Sequence, residues 1–313
     1  MVAVVAGAVL EAIHTGLSAG ALPMQAASGS MQRPQRRGIE RVDGARIGNG
    51  PMIEDEGAQR VVELYAAILK SCGHVLSSES MVLDFGCGTG RHTYEYLDSG
   101  FPNTFGYEVQ NYVRLRSPGD AVHFRFDPMP NNPNEYPSMT TIPWPDNVFD
   151  FVFANSVFEH VADQELAYRE IHRVLKPSGL FLNVFPSKWR PLEVHTNIPF
   201  GGLLTSPRYL RLCAALGIRG AGQEKFTADE VESSNRLLMS RGVNYLSGRQ
   251  IADLLRRIFG AFEYVEDAFI RHSPGRSRHL AIPLRVVPIL RQLFRFSHTR
   301  VILSRKTISQ RSG

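Results

Sequence analysis

Three glycines at alternate positions follow a short apolar run near residue 82. The stretch Asp84-Phe85-Gly86-Cys87-Gly88-Thr89-Gly90 begins at the end of a predicted strand and leads into a predicted helix. Glycines in such a turn let the backbone approach a ligand closely and adopt positive φ angles. The spacing therefore predicts a loop that binds a nucleotide-like ligand. The candidate binding residues in it are Asp84, Gly86, Cys87, Gly88 and Gly90.

Two acidic residues and one amide end later apolar runs of the same kind. Glu108 lies 18 residues after Gly90, at the end of the second predicted strand. Asp127 ends the third predicted strand, and Asn155 ends the fourth. Because the carboxyl ends of parallel strands border the ligand crevice, we expect all three residues beside the glycine turn. Glu108 in particular should face it.

Two histidines are candidate catalytic residues. His160 follows the fourth predicted strand in the pair Glu159-His160, and His195 lies in a proline-punctuated polar loop after the fifth. An imidazole titrates near neutral pH, so either side chain could act as a general base. The alternative is that the Glu-His pair only closes a helix start and that His195 is a hydrogen-bonded loop residue. Because Cys87 has no Cys or His partner at metal-ligand spacing, we expect no metal site.

Strand and helix patterns alternate between residues 81 and 186. The predicted strands are 81–85, 104–109, 122–126, 149–154 and 180–185, and the predicted helices between them are 91–99, 111–116 and 163–175. A helix at 54–71 precedes this region, and a helix at 247–259 and a strand at 262–270 follow it. Such alternation predicts an α/β fold in which crossover helices join parallel strands.

The glycine turn closely resembles motif I of class I S-adenosylmethionine-dependent methyltransferases. Residues 82–92 match the motif at nearly every defining position, and residues 142–150 resemble the stretch that leads into strand four of the family. The resemblance extends over about residues 60–186, and it is to the small-molecule branch that includes ubiquinone-biosynthesis enzymes. It implies a Rossmann-like, seven-stranded, mostly parallel sheet with helices on both faces.

The resemblance also implies S-adenosylmethionine as cofactor and methyl transfer to a small organic acceptor, which we expect to be oxygen. In the family the turn wraps the methionine and ribose, an acid in the place of Glu108 binds the ribose, and an acid after strand three contacts the adenine. Asp127 is the candidate for the adenine contact. Since residues 128–138 look inserted, the backbone or Thr140 could make it instead. The chain lacks the Asn-Pro-Pro-Tyr sequence of base and glutamine N-methylases after strand four, which argues against that branch.

Two other functions remain open on the sequence. An NAD-dependent reductase uses a similar sheet, but its G-x-G-x-x-G fingerprint wants a small residue where Arg91 stands. A non-catalytic module that only binds the cofactor would keep Asp84, Glu108 and the three glycines, so those residues favour cofactor binding without proving turnover.

The 313 residues carry a net charge of +5 that is unevenly distributed. Residues 268–313 contain ten Lys or Arg and no Asp or Glu, so the rest of the chain is net acidic. Three cysteines make no disulfide framework and favour a reducing cytoplasm. We predict a poorly ordered extension at 1–52, a methyltransferase domain at 53–270 and a basic tail at 271–313. Within the domain, residues 187–245 are predicted to form the insertion that holds the acceptor.

The predicted tail includes a basic amphipathic helix over residues 288–296. Such a helix could pack against the domain, lie on an anionic membrane or touch nucleic acid. Packing is the default, and peripheral membrane contact would suit a hydrophobic acceptor. Nucleic acid is disfavoured because no aromatic residues interleave with the basic ones. No run reaches the roughly 18 apolar residues that a membrane span needs, and the sequence does not set the oligomeric state.

Overall fold

The computed structural model describes residues 60–127, 139–220, 222–273 and 281–307. Along these residues the strands are β1 (Val82–Phe85), β2 (Thr104–Glu108), β3 (Phe124–Phe126), β4 (Phe149–Asn155), β5 (Leu175–Pro186), β6 (Phe262–Tyr264) and β7 (Thr299–Arg305). The α-helices are α1 (Val61–Ser71), α2 (Arg91–Asp98), α3 (Gln164–Val174), α4 (Pro207–Ala215), α5 (Ala228–Leu237), α6 (Gly248–Phe259), α7 (Glu266–His272), α8 (Ala281–Val286) and α9 (Pro288–Ser297). The predicted extension at 1–52 and the predicted insertion at 128–138 lie outside the described residues.

The strands form one sheet in the order β3-β2-β1-β4-β5-β7-β6. Strands β1 to β5 run parallel, and β7 runs antiparallel to both of its neighbours, β5 and β6. The strand order reverses at β1, which pairs with β2 on one side and β4 on the other. A ligand crevice forms at such a switch point, beyond the carboxyl ends of the strands. The predicted seven-stranded, mostly parallel Rossmann-like sheet is confirmed.

Apolar side chains cover both faces of the sheet. In β4, Val152 and Ala154 face the core cluster formed with α3 and α6, whereas Phe151 and Phe153 face the cluster formed with α1 and α7. A parallel strand that is buried on both faces reads as a continuous apolar run, as residues 149–154 do. Packing on both faces fixes the position of the carboxyl end of β4, where predicted site residues lie.

The helix predicted at 111–116 is absent from the structure, where these residues are not helical. Two of their backbone N–H groups have partners in the glycine turn and in α2. Arg114 donates to the Thr89 carbonyl oxygen at 3.3 Å, and Arg116 donates to the Tyr94 hydroxyl at 3.2 Å. Because these donors are satisfied by the glycine turn and α2, the segment lies against them instead of coiling. A 3-10 helix follows at Pro118–His123.

The strand predicted at 262–270 ends at Tyr264, and α7 begins at Glu266. Val265, Ala268 and Phe269 repeat at helical spacing and pack against the α1 side of the sheet. That helical period outweighs the β-propensity of the aromatic residues in this segment.

The predicted domain boundary at residue 270 is wrong, because β7 belongs to the sheet. Residues 299–305 pair with β5 over seven positions and with β6 over three. Val301, Ile302 and Leu303 are buried in the two cores. Because arginines stand on either side of this short apolar run, the sequence pattern did not predict a strand there. Residues 299–305 are therefore part of the domain, not of a tail.

The predicted helix at 288–296 is α9, and it packs on one side only. Phe294 is buried against Ile270, with Leu290 and Phe269 beside it. No described helix has both the length and the apolar composition that crossing a bilayer requires.

Candidate active site

Backbone hydrogen bonds hold the glycine turn between β1 and α2 in one shape. The N–H groups of Gly86 and Cys87 donate to the Tyr107 carbonyl oxygen at 2.8 and 3.1 Å. Gly86, Gly88 and Gly90 have φ angles of 77°, 53° and 85°, in the region that favours glycine. A Cβ on Gly86 would lie 2.5 Å from the Val157 side chain, whereas nothing lies within 4 Å of one on Gly88. The turn is therefore closed against the end of β4 at Gly86 and open at Gly88.

The carboxylate of Glu108 faces this turn, as expected. Its Oε2 accepts a hydrogen bond from the Gly88 N–H at 2.9 Å, and its Oε1 accepts one from the Val109 N–H at 2.9 Å. Burial raises the pKa of Glu108 above its ordinary value, and the two backbone N–H groups oppose this rise. Each oxygen retains a second lone pair, so the carboxylate can still accept hydrogen bonds from the hydroxyls of a ligand.

Asp84 and Cys87 lie beneath the turn rather than on its open side. The buried Asp84 carboxylate accepts a hydrogen bond from the Thr93 hydroxyl at 2.9 Å, which ties β1 to α2, and burial raises the pKa of Asp84 to about 6. The Cys87 thiol is buried, and a Cβ on Gly106 would lie 2.8 Å from its sulfur. The side chain of Cys87 therefore packs against β2, and any cofactor contact would have to come from its backbone.

Asp127 and Asn155 lie at the carboxyl ends of β3 and β4. Asp127 accepts hydrogen bonds from the Tyr107 hydroxyl at 2.9 Å and from the Thr140 N–H at 3.2 Å. The Thr140 N–H, an alternative donor for the adenine, is thus used by Asp127. The Asn155 amide contacts Nε2 of His92 on α2 at 3.1 Å. Both predicted residues border the crevice, and both are held by neighbouring strands or helices.

The two candidate histidines meet although 35 residues separate them. The Nε2 atoms of His160 and His195 are 3.1 Å apart. His160 donates from Nδ1 to the Gly242 carbonyl oxygen at 2.6 Å, and His195 Nδ1 contacts the Glu193 carboxylate at 2.6 Å. His195 is thus a hydrogen-bonded loop residue, as the alternative reading has it, and its contact with His160 is what a catalytic role would use.

Glu193, which the sequence analysis did not single out, holds the loop that carries His195. Its Oε2 accepts hydrogen bonds from the N–H groups of His195 and Thr196 and from the Thr196 hydroxyl, and its Oε1 accepts one from the Tyr245 hydroxyl at 3.0 Å. Burial alone would raise the pKa of Glu193, but these partners, His195 first, hold it at about 2. Burial alone would lower the pKa of His195. The hydrogen bond to the Glu193 carboxylate outweighs this effect, so the pKa of His195 lies above its ordinary value. The Glu-x-His spacing was the available signal for this pair.

Glu159 completes the cluster. Its side chain is buried, and neither of its carboxylate oxygens has a hydrogen-bond partner. Burial raises the pKa of Glu159 to about 7. Within the described residues, one ligand atom each from Glu159, His160 and His195 lies within 4.8 Å of the others. We expected no metal site from the sequence, in which Cys87 has no Cys or His partner at metal-ligand spacing. Linear spacing does not show that residue 195 meets residues 159 and 160.

Residues 187–245 cover the end of β4. The Asn244 N–H donates to the Glu159 carbonyl oxygen, and its side-chain amide donates to the carbonyl oxygens of Val161 and Ala162. Helices α4 and α5 pack together in this segment, outside the sheet. The predicted acceptor insertion thus contributes two of the four members of the polar cluster, which consists of Glu159, His160, Glu193 and His195.

Residues 83–183 match the methyltransferase domain family. This range contains the glycine turn, Glu108, Asp127 and the Glu159-His160 pair, within a sheet whose last strand is antiparallel. The chain carries a class I S-adenosylmethionine-dependent methyltransferase domain. S-adenosylmethionine is the cofactor of this domain. The residues fit it, because Glu108 faces the turn and Gly88 leaves room that a Cβ would fill.

Curated relatives match about a third of this chain. The sterol 24-C-methyltransferase of Schizosaccharomyces pombe is 34% identical over 102 residues, which are 33% of this chain and 26% of that enzyme. A sterol 24-C-methyltransferase of Gibberella zeae is 32% identical over 122 residues, which are 37% of this chain and 29% of that enzyme. The chain spans about a quarter of the length of the curated relatives it matches.

Solved structures resemble much of this chain at low sequence identity. YcgJ of Bacillus subtilis is 17% identical, with a TM-score of 0.41 over 78% of this chain and 99% of that protein. An S-adenosylmethionine-dependent methyltransferase of Mesorhizobium loti is 15% identical, with a TM-score of 0.44 over 80% of this chain and 99% of that protein. Similarity of this degree does not indicate which acceptor or activity this chain has.

Proposed function

We propose that this chain transfers the methyl group of S-adenosylmethionine to an oxygen atom of a small organic acceptor. The observation that carries the proposal is the contact of Glu108 with the Gly88 N–H, because it orients a carboxylate toward the open side of the glycine turn. The polar cluster at the end of β4 supports an oxygen acceptor.

The residues that would hold the cofactor come from three neighbouring strands. Glu108 would bind the ribose hydroxyls, the backbone of the turn around Gly88 would lie along the methionine portion, and Asp127 would face the adenine. Two backbone N–H groups orient Glu108, and Tyr107 and Thr140 orient Asp127. Side chains held in this way lose little conformational freedom on binding, which favours affinity.

The polar cluster of Glu159, His160, Glu193 and His195 would meet the acceptor. When bound, S-adenosylmethionine supplies a methyl group that an acceptor atom can attack. A hydroxyl that takes this methyl group must also lose its proton, so an oxygen acceptor needs a group that receives it. A Cβ on Gly86 would lie 2.5 Å from the side chain of Val157, which stands three residues before His160, so we expect the paired imidazoles near the glycine turn. We assign proton removal to this cluster, and acceptor selection to residues 187–245 that cover it.

A carbon acceptor is the second candidate, since the curated relatives are named sterol 24-C-methyltransferases. The two candidates differ in the bond that the methyl group forms. Incubation with S-adenosylmethionine carrying a ¹³C-methyl group, followed by NMR of the product, separates an oxygen-bound from a carbon-bound methyl. A screen of hydroxylated and unsaturated acceptors, monitored by S-adenosylhomocysteine release, would provide the substrate. If the protein binds S-adenosylmethionine but releases no S-adenosylhomocysteine with any acceptor, the non-catalytic module is favoured.

The exposed side of the C-terminal helices suits a hydrophobic acceptor drawn from a membrane surface. Ile289, Leu293 and Phe296 of α9 are 58%, 51% and 49% exposed, and Ile282 and Val286 of α8 are exposed as well. This apolar face lies in the basic region of the chain, and apolar and basic residues together favour anionic lipid. We therefore propose peripheral membrane contact by a cytoplasmic protein, with α9 as the contact.

A further inference from the structure

We propose that Glu159, His160 and His195 bind one divalent transition-metal ion of the zinc class at the carboxyl end of β4. The three side chains come from two segments, the turn after β4 and the loop after β5. The metal site stands on the geometry of these side chains, and only its part in catalysis rests on the proposed function.

The distance between the imidazoles fits a shared ion. Their Nε2 atoms are 3.1 Å apart. Two nitrogens bound to one zinc ion, at about 2.0–2.1 Å each and at an angle of about 90–110°, lie about 2.9–3.4 Å from each other. The carboxylate of Glu159 is within reach, because one ligand atom from each residue lies within 4.8 Å of the others.

The outer nitrogens of both rings already have acceptors. Nδ1 of His160 contacts the Gly242 carbonyl oxygen, and Nδ1 of His195 contacts the Glu193 carboxylate. A neutral imidazole that donates from Nδ1 presents a lone pair at Nε2, so the two lone pairs face each other. Metal-bound histidines commonly have this second set of contacts, to a carbonyl or a carboxylate.

A shared proton between the two imidazoles could join the rings, but it would leave Glu159 unexplained. That side chain is 1% exposed, and both of its oxygens lack a hydrogen-bond partner. Burying a carboxylate without a partner is costly. A cation bound by the two Nε2 atoms and by Glu159 gives the carboxylate a partner and separates the two lone pairs, so one occupant accounts for both observations.

The donor set selects the class of metal. Two imidazoles and one carboxylate suit zinc or iron(II), whereas Mg²⁺ and Ca²⁺ prefer oxygen ligands throughout. Three protein ligands leave a coordination position open, as catalytic zinc sites do. An acceptor hydroxyl bound at that position would lose its proton to water more readily, because the ion stabilises the oxygen anion; the imidazoles would then act as ligands and not as the base.

Calorimetric titration of ZnCl₂ into the full chain, after removal of metal with a chelator, tests the site. We expect one ion per chain and at least about a tenfold loss of affinity in Glu159→Gln and in His195→Ala. His160 is exposed, so His160→Ala removes a ligand with the least burden on the fold. His123→Ala is the matched control, since its Nδ1 also contacts a backbone carbonyl oxygen, that of Thr104, but beside β3. Circular dichroism and thermal melting confirm that each variant is folded.

The proposal is contradicted if folded wild-type protein binds no ion at one-to-one stoichiometry, or if the ligand variants bind zinc as tightly as His123→Ala does. Titration of S-adenosylhomocysteine into the same samples tests the methyltransferase function separately. Protein that binds the nucleoside but not zinc contradicts the metal site alone. Protein that binds zinc with the expected losses in the variants, but transfers no methyl group, supports the metal site and contradicts the proposed function.

Discussion

At the scale of single residues, Glu108 is oriented by the protein itself. Each of its carboxylate oxygens accepts one backbone N–H, from Gly88 and from Val109. The carboxylate therefore joins the end of β2 to the glycine turn that follows β1. A ligand that binds against the turn meets a charge already in position.

Glu108→Gln should weaken S-adenosylhomocysteine binding by roughly ten- to a hundredfold. Hydrogen bonds to a charged group contribute about 1.5–3 kcal/mol, and the amide lacks the charge while it can still accept the Gly88 N–H. Isothermal titration calorimetry measures the affinity, with Glu79→Gln as an exposed control. Equal affinity in both variants would remove Glu108 from the cofactor site.

Gly88→Ala should lower cofactor affinity more than it lowers stability. A left-handed φ of 53° costs an alanine roughly 1–2 kcal/mol, and the methyl group would fill the open side of the turn. Gly217 is a matched control, because its φ is 79° and nothing lies within 4 Å of a Cβ there either. We expect similar stability losses in both alanine variants by chemical denaturation, and weaker S-adenosylhomocysteine binding only in Gly88→Ala. Loss of binding in Gly217→Ala as well would point to general destabilisation.

At the scale of elements, α3 positions the segment that leads into β4. Glu170 on α3 accepts hydrogen bonds from the Thr141 hydroxyl at 2.6 Å, the Ile142 N–H at 2.8 Å and the Arg173 guanidinium. Ile142 is buried in the core between this segment and the sheet. The carboxylate thus fixes a loop that lacks regular secondary structure of its own.

Glu170→Gln should lower the free energy of unfolding by about 1–2 kcal/mol at pH 7, measured by urea denaturation. Its hydrogen bonds to Arg173, against the opposing effect of burial, lower the pKa of Glu170 from 4.5 to about 2. A carboxyl whose pKa is lower in the folded state stabilises the protein above the unfolded pKa and loses this effect as the pH falls through the folded pKa. The difference from wild type should therefore be largest above about pH 5 and shrink towards pH 2.

Glu165→Gln on the same helix is the control for this prediction. Glu165 pairs with Arg169 and Arg257 at exposed positions, where ion pairs contribute little. We expect a smaller loss of stability than in Glu170→Gln and a weaker dependence on pH. A Glu165 effect as large as that of Glu170 would mean that the contact with residues 141–142 does not matter.

Two predicted elements were wrong because contacts with residues distant in the sequence determine their conformation. Residues 111–116 read as a helix locally, but the Thr89 carbonyl oxygen and the Tyr94 hydroxyl take backbone donors of the segment. Residues 265–270 read as a continuing strand, but their apolar side chains pack on α1 only at helical spacing. Local propensity does not contain either partner.

At the scale of the whole molecule, the apolar side of α9 should mediate binding to anionic vesicles. Leu293→Asp should reduce co-sedimentation with vesicles that contain phosphatidylserine, because it places a negative charge on the exposed apolar face. Leu216→Asp is the control, since Leu216 is 69% exposed after α4, outside the C-terminal helices. If both the wild-type protein and the Leu216→Asp variant fail to sediment with the vesicles, the membrane contact is contradicted. The substitution is preferable to a truncation at residue 283, which would remove β7.

The cofactor half of the site could be predicted from sequence because its residues are local. The apolar strand, the glycine turn and Glu108 lie within 27 residues, and the turn chemistry depends on backbone freedom that only glycine has. The α/β class followed from the same alternation of strands and helices. Residues 299–305 escaped prediction as a strand, since their short apolar run at 301–303 lies between two arginines and acquires its strand partners only when the sheet assembles.

The tertiary structure alone decided the acceptor side of the site. Glu159 and His160 follow β4, His195 and Glu193 follow β5, and Tyr245 precedes α6. Each residue type was visible in the sequence, but the distances between them depend on how residues 187–245 fold back over the end of β4. That path is set by long-range packing and by hydrogen bonds such as those of Asn244, which have no periodic trace in the chain. Chemistry that depends on contact between distant segments therefore appears only once the chain is folded.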